Sequence, residues 1–539
     1  MGEIKGKSVY VRMVAVWLFA AALVVSLSGC LCTPDHRSEP ADQWADVPFW
    51  APQIDGIEKR FELAKRTEPE LITFLRRMPK GADLHNHVSG AAYAEYNLHS
   101  AAEKKLHYNL RTNKFTHEAL LANEVITVEE LISNLDYLSS YLDSVSMRGW
   151  YPNTDSGHDH FFQAFVHFGD ERSREDMLVE ILRRNHYQQV QYLELMVRSV
   201  PKAIKKRLVA ELTDFDIDDL EAAYNHLAPL ANTPETVAAI KSFLDEREQY
   251  VQAQLEADSG IRITGDDPDI SLRYVSQLKR YVSLPTFFVD ALTAMTVMQH
   301  DERVVALNMV AAEDHPRALQ NFTAQMKILD FLWQKMGHPN ITLHAGELVL
   351  RESPVEPMWN RISQSIEKGH ALRVGHGIAV AWEENVVALL EHMRDNHIVV
   401  EICLSSNESI LGVVGKAHPF MLYRRAGVPV TICTDDEGIS RSNLTMEYVK
   451  AVQRYDLDYG DLVELARNSI EYSFLPGESL FVEHDYTGLR PEFAGLDKAD
   501  WQADETAAQL MRANPKLERQ VKLERALVAF EDFVDNGFK

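Results

Sequence analysis

Cysteine is scarce, with four residues in a chain of 539. That is too few for a disulfide framework. Glycine and proline are also sparse, 25 and 21 residues, which excludes collagen-like and low-complexity chains. Positive charge is short as well: Lys+Arg 55 against Asp+Glu 80 leaves a net charge of −25. That excess argues against a nucleic-acid backbone or an anionic lipid surface as the main partner. What is present, 46% hydrophobic and 25% charged residues, suits a large globular protein with a sizeable core.

Lys5, Lys7 and Arg12 precede an apolar run, Met13–Leu27. The run is too short to span a bilayer comfortably and reads as the core of a signal peptide. It ends in Leu27-Ser28-Gly29-Cys30, which resembles the bacterial lipobox, whose cysteine is lipidated after cleavage. Residues 1–29 are therefore expected to be removed and Cys30 to carry the lipid. Leu31 follows, and the lack of Asp there resembles lipoproteins sent on to an outer membrane. The expected location is the periplasmic side of that membrane, or the cell surface, with the lipid anchor as the sole membrane contact. Residues 30–52 read as a tether, shifting to Pro, Asp, Glu and Trp without a helical period.

Residues 53–77 show a helical spacing of apolar positions. Beyond them, β-rich runs alternate with helical stretches: Asp83–His87, Val190–Met196, Tyr274–Leu278, Val304–Val310, Ile341–Ala345, Leu372–Gly375, Val399–Leu404 and Val428–Thr434. Eight such runs separated by helices predict an α/β fold, a TIM-type (β/α)8 barrel over residues 53–480 with an N-terminal helical extension. Residues 91–188 and 203–260 break the spacing and read as helix-rich insertions on the barrel rim. Within the second, Leu208–Leu255 reads as a packed helical hairpin. Residues 481–539 form a C-terminal helical tail.

His85-Asn86-His87 ends the first run. Residues i and i+2 of a strand face the same way, so both imidazoles can reach one metal ion. Alone this is weak, because 21 His in 539 residues produce about one such pair by chance. A second copy, His158-Asp159-His160, is read as that chance pair. Four more clusters end later strands: His344-Ala345-Gly346-Glu347, Gly375-His376-Gly377, Ser405-Ser406-Asn407 and Thr434-Asp435-Asp436. The C-terminal face is where barrel active sites assemble, and coincidence at every end is a poor account.

These clusters, together with Met78–His87, His418-Pro419-Phe420 and the stretch Leu462–Phe474, resemble the adenosine deaminase family in the same order over roughly residues 72–480. The long gap between His87 and His344, the export signal and the N-terminal extension are more similar to its secreted, growth-factor-like branch. The resemblance implies one zinc ion on His85, His87, His344 and Asp435, with a position left for water. It implies Glu347 as the acid that protonates purine N1, and His376 as the group that orients the nucleophile attacking C6. Asp436 would hydrogen-bond the nucleophile or purine N7. The substrate implied is a purine nucleoside, deaminated to its 6-oxo product and ammonia.

Two substrate-side positions depart from the family. Ser89 stands where the family often has an Asp touching the sugar, and Ala311 where a loop glycine meets purine N3. Glu437, after the acidic pair, is a third departure. Phe161, Phe162 and Phe165 resemble the apolar lid over the base, with ordinary helix packing an equal reading. Thr264-Gly265-Asp266-Asp267-Pro268 mimics the acidic pair but precedes His344, so it is set aside. Cys403 and Cys433 read as interior thiols. Two other readings compete: a different aminohydrolase or amidohydrolase on the same barrel, and a non-catalytic, ligand-binding surface lipoprotein. The first is disfavoured because the fourth strand offers no lysine to bridge two metals, the second because no ligand residue is lost.

Overall fold

In a computed structural model that describes residues 47–51, 53–117, 124–151, 156–265 and 267–538, all eight β-rich runs become strands. They are β1 (Gly81–His87), β2 (Val190–Val197), β3 (Ser271–Lys279), β4 (Val304–Val310), β5 (Ile341–Ala345), β6 (Ala371–His376), β7 (Val399–Ile402) and β8 (Val430–Ile432). The signal-peptide region, Cys30 and the tether up to residue 46 lie outside the described residues. The strands form one sheet in chain order, every neighbouring pair parallel. Strands covered on both faces read as continuous apolar runs, which is why the sequence located them well. β1, β4 and β5 are buried at every residue.

Closure of the barrel is local. β1 and the turn after β8 are joined by a parallel bridge between Asn86 and Asp435. There His87 N donates to Asp435 O at 3.1 Å, and Asp435 N donates to His85 O at 2.8 Å. The seam thus closes through residues that the sequence marked as metal ligands.

Helices return the chain between strands and start at readable signals. The helix Pro234–Ser259 has Thr233 as its N-cap, Pro234 in its first turn, and Gly260 at φ 69° where it ends. The stretch 203–260 holds three helices, Lys202–Glu211, Leu220–Ala231 and Pro234–Ser259, rather than a bare hairpin. Residues 53–77 form two helices, Ile57–Ala64 and Glu68–Leu75, because Thr67 and Pro69 restart the chain. The stretch 91–188 holds more than helices: His107–Asn109, Lys114–Thr116 and Val125–Thr127 form a small antiparallel sheet. Three-residue strands carry no usable period. Their side chains complete a satellite core of Leu106, Tyr108, Phe115, Leu131 and Tyr141.

The N-terminal helices and the last helix, Pro515–Asp535, pack together, with Phe74 edge-on to Phe530 at 5.2 Å. Among the described residues, no helix is long and apolar enough to cross a membrane.

Candidate active site

The C-terminal ends of the strands converge on one buried cluster. β1 supplies His85 and His87, β5 His344, β6 His376, and the turn after β8 Asp435 and Asp436. His85 Nε2 and His87 Nε2 each lie 3.1 Å from His344 Nε2. Asp435 Oδ1 is 3.2 Å from His87 Nε2 and 3.7 Å from His85 Nε2. Tetrahedral ligands at zinc–nitrogen distances of 2.0–2.1 Å would stand about 3.3–3.4 Å apart.

The far ring nitrogens show which near ones carry lone pairs. His85 Nδ1 faces Glu401 Oε2 at 2.6 Å, and His344 Nδ1 faces Asn308 Oδ1 at 2.9 Å. Both oxygens accept, so both Nδ1 atoms carry the proton and both Nε2 atoms present a lone pair. Lone pairs 3.1 Å apart repel unless a cation lies between them. Spacing and chemistry together make His85, His87, His344 and Asp435 a buried group that could hold one metal ion.

Burial dominates the electrostatics. It pulls His87 down to about 4 and His376 down to about 3, and it holds His344 well below the imidazole range. For His85, burial is outweighed by the hydrogen bond and charge of Glu401, so its pKa rises. For Asp435, burial is outweighed by His87, His376 and His85, so its pKa falls. Glu347 and Asp436 are pushed well above the carboxylate range, first by burial and then by the charge of Asp435. Two acids ready to hold protons therefore flank an ionised one.

Each acid is positioned by its neighbours. Glu347 N donates to Glu313 Oε2 at 2.7 Å, while Glu347 Oε1 lies 3.7 Å from His376 Nδ1. Ser406 Oγ donates to Asp435 Oδ2 at 2.6 Å. Gly90 lets Asp436 in: a Cβ there would sit 1.6 Å from Asp436 Oδ1. His376, Asp435 and Ala311 all have left-handed backbones, with φ of 65°, 59° and 82°. Such conformations cost non-glycine residues on the order of 1–3 kcal/mol each and gather at functional sites. Ala311, where the resemblance leads one to expect a glycine, thus holds a glycine-like conformation. The Ser89 carbonyl accepts from Arg172 Nη2 at 2.5 Å.

Phe161 and Phe162 sit in different surroundings. Phe161 is buried with Ile378, Ile410 and Ile439. Phe162 lines a small cavity with His158, Glu313, Asp314 and Glu347. His158 and His160 diverge: His158 Nε2 faces Asp314 at 3.1 Å, His160 Nε2 faces Ser146 O at 3.1 Å. They are no metal pair, yet His158 lines the same small cavity as Glu347, which spacing alone did not show. Asp267 of the decoy pairs with Lys522 instead. Glu437 pairs with Arg184 and accepts from Asn86 Nδ2 at 3.1 Å, which makes it part of the support under the ligands. Cys403 and Cys433 are buried and unpaired, and burial pushes both thiols well above their usual range.

The family model described as adenosine deaminase matches residues 159–480, more than half of the chain. The chain belongs to the adenosine deaminase family. The match begins beyond His85 and His87, so the first strand is tied to the adenosine deaminase segment by its register against β2 and by the ligand geometry. An adenosine deaminase of Clostridium acetobutylicum is 34% identical over 139 residues, 26% of this chain and 38% of the relative. A probable adenosine deaminase of Dictyostelium discoideum is 32% identical over 136 residues, 25% of this chain and 16% of the relative. The chain thus spans well under half the length of these curated relatives. Among solved structures, the Arabidopsis N6-mAMP deaminase is similar with TM-score 0.48 and 18% identity, covering 75% of this chain and 96% of that one.

Some members of the site escaped the motif reading. Glu401 holds His85, and is itself held by Arg373 Nε at 2.6 Å and Thr342 Oγ1 at 3.0 Å. Arg373 Nη2 also reaches Glu194 Oε2 at 2.6 Å. Each of these charged residues interrupts a buried apolar strand, which is the signal that could have found them. Asn308, in the middle of β4, carries the same mark.

Proposed function

We propose that this chain is a zinc-dependent aminohydrolase that converts adenosine, or a related 6-aminopurine nucleoside, to the 6-oxo product and ammonia. The observation that carries the reading is the ligand set His85, His87, His344 and Asp435, spaced for one tetrahedral ion and flanked by two raised-pKa acids. Family membership supports the same chemistry. Zinc bound there would lower the pKa of a water molecule towards neutrality.

The remaining roles belong to the chain. Glu347, protonated in its buried site, gives its proton to purine N1 and makes C6 electrophilic. His376 faces the attacking oxygen and steadies its charge. Asp436 accepts a hydrogen bond from the nucleophile or holds purine N7. Ser89 and Ala311 border the sugar and the purine edge, and their departure from the family favours testing relatives of adenosine beside adenosine itself. The leader supports a lipoprotein anchored through Cys30 to a bacterial membrane, facing the periplasm or the cell surface.

The decisive assay is ammonia release by the zinc-loaded protein from a panel of 6-aminopurine bases, nucleosides and nucleotides. Release from nucleosides is expected, and no release from any member overturns the reading. For location, Cys30→Ser is expected to free the protein from the membrane fraction or leave its leader uncleaved. Unchanged membrane association with no acyl group on Cys30 ends that part.

A further inference from the structure

His376 has two ring nitrogens in different surroundings. Its Nε2 is buried, has no hydrogen-bond partner among the described residues, and lies 4.0 Å from Asp435 Oδ2. Its Nδ1 faces Asn407 Nδ2 at 2.9 Å. Which nitrogen carries the proton decides whether the ring can donate to an oxygen in the site or only accept from it.

The answer starts from a donor that covalent structure fixes. Phe420 N–H can only donate, and it donates to His418 Nδ1 at 3.1 Å. In a neutral ring His418 then carries its proton on Nε2. That Nε2 is 3.1 Å from Asn407 Oδ1 and donates to it. With its oxygen engaged, the Asn407 amide turns its NH2 group to His376 Nδ1, which must accept. The proton of His376 is therefore left on Nε2, the nitrogen facing the ligand cluster. His376 is 0% exposed and His418 5%, so water does not scramble the chain. Neither ring has a carboxylate within 3.5 Å among the described residues, the nearest to His376 being Glu347 at 3.7 Å.

We propose that the relay from Phe420 through His418 and Asn407 locks His376 as an Nε2–H donor, making His418 and Asn407 positioning residues for it. His376 then donates a hydrogen bond to the attacking oxygen and stabilises its charge; it takes no proton from it. One proton reaches purine N1 from Glu347; of the two protons of the attacking water, one restores the Glu347 acid and the other leaves on the ammonia, and neither is held by His376. This inference rests on the proposed deamination for what His376 faces, but the relay itself is a statement about proton positions.

The test uses zinc-loaded protein with 15N-labelled histidine. The His376 signals are assigned by their loss in His376→Ala, and NMR reads which nitrogen bears the proton. Nε2–H is expected in the wild type, and Nδ1–H overturns the proposal whatever the substrate turns out to be. His418→Leu removes the donor that orients Asn407. Its kcat is expected to fall about ten- to a hundredfold with KM and zinc content kept, as for loss of an outer hydrogen-bonding support. The His376 proton should shift at least partly to Nδ1. His418→Gln can still donate to Asn407 Oδ1 and is expected to recover most of the activity. If His418→Leu moves the proton but leaves kcat unchanged, or if His418→Gln is as impaired as His418→Leu, the positioning role is wrong. Should no 6-aminopurine be deaminated at all, the functional reading falls while the NMR result still decides the relay.

Discussion

Lys80 and Glu347 are buried, ionisable side chains at opposite ends of one barrel. Lys80, just before β1, has its three ammonium protons directed at three backbone carbonyls, Leu75 at 2.6 Å, Met78 at 3.0 Å and Gln188 at 2.9 Å. At the other end, Glu347 Oε1, His376 Nε2 and Asp436 Oδ1 are buried with no hydrogen-bond partner among the described residues. Leaving a buried polar atom unpaired costs about 1–3 kcal/mol, so one end is arranged for stability and the other keeps groups available for a ligand. Between them, Arg373 bridges Glu194 and Glu401 in the barrel interior, and Glu401 passes that support to His85. The two ends meet in that layer.

The sharpest way to break this contrast is to remove a ligand at the reactive end. His85→Ala should abolish bound zinc and turnover together, read by metal analysis beside ammonia release. Full turnover without metal would end the proposal. Glu347→Gln keeps the shape but cannot transfer a proton, so turnover should fall at least about a hundredfold. Zinc and purine binding should stay, and thermal stability should not drop, because a carboxyl crowded by Asp435 and Glu313 is replaced by a neutral amide. Lost zinc would instead make Glu347 a support for His344.

The middle layer should answer in stability. Arg373→Met strips two buried carboxylates of their partner and is expected to cost about 3–5 kcal/mol in denaturant unfolding. Its pH signature has a definite sign. Glu401 is buried, but Arg373 and His85 hold its pKa down from 4.5 to about 2. Its contribution is therefore present above about 4.5 and is lost as pH falls through about 2, and Arg373→Met should shrink that acid limb. A full-sized limb in the variant would show that Arg373 is not the stabilising charge. The smallest effect is expected at the far end. Lys80→Met leaves three carbonyls without their donor, costing about 1–3 kcal/mol, with turnover per bound zinc unchanged. A loss of kcat there would show that the ends are coupled.

The barrel was legible because its strands are buried on both faces and so read as apolar runs at nearly the observed boundaries. The cluster that could hold a metal was legible because each of its residues lies at the end of such a run. The small sheet within 107–127 was not, since three residues per strand carry no period. That His158 and Glu347 line one small cavity was not, because a chance-level His pair gives no sign of which one faces a cavity.

By itself the sequence determined which residue types stand at the strand ends, and with them the family and the residues proposed to hold a metal. Only the tertiary structure decided that Glu401 holds His85 across 316 residues of chain, and that Glu437 serves Arg184 rather than the reaction. It alone showed that His418 and Asn407 stand in line behind His376. The reason is physical: strand identity follows from local patterning, whereas a hydrogen bond between distant strands depends on their relative stagger and on where each side chain points, and neither is written in a run of residues.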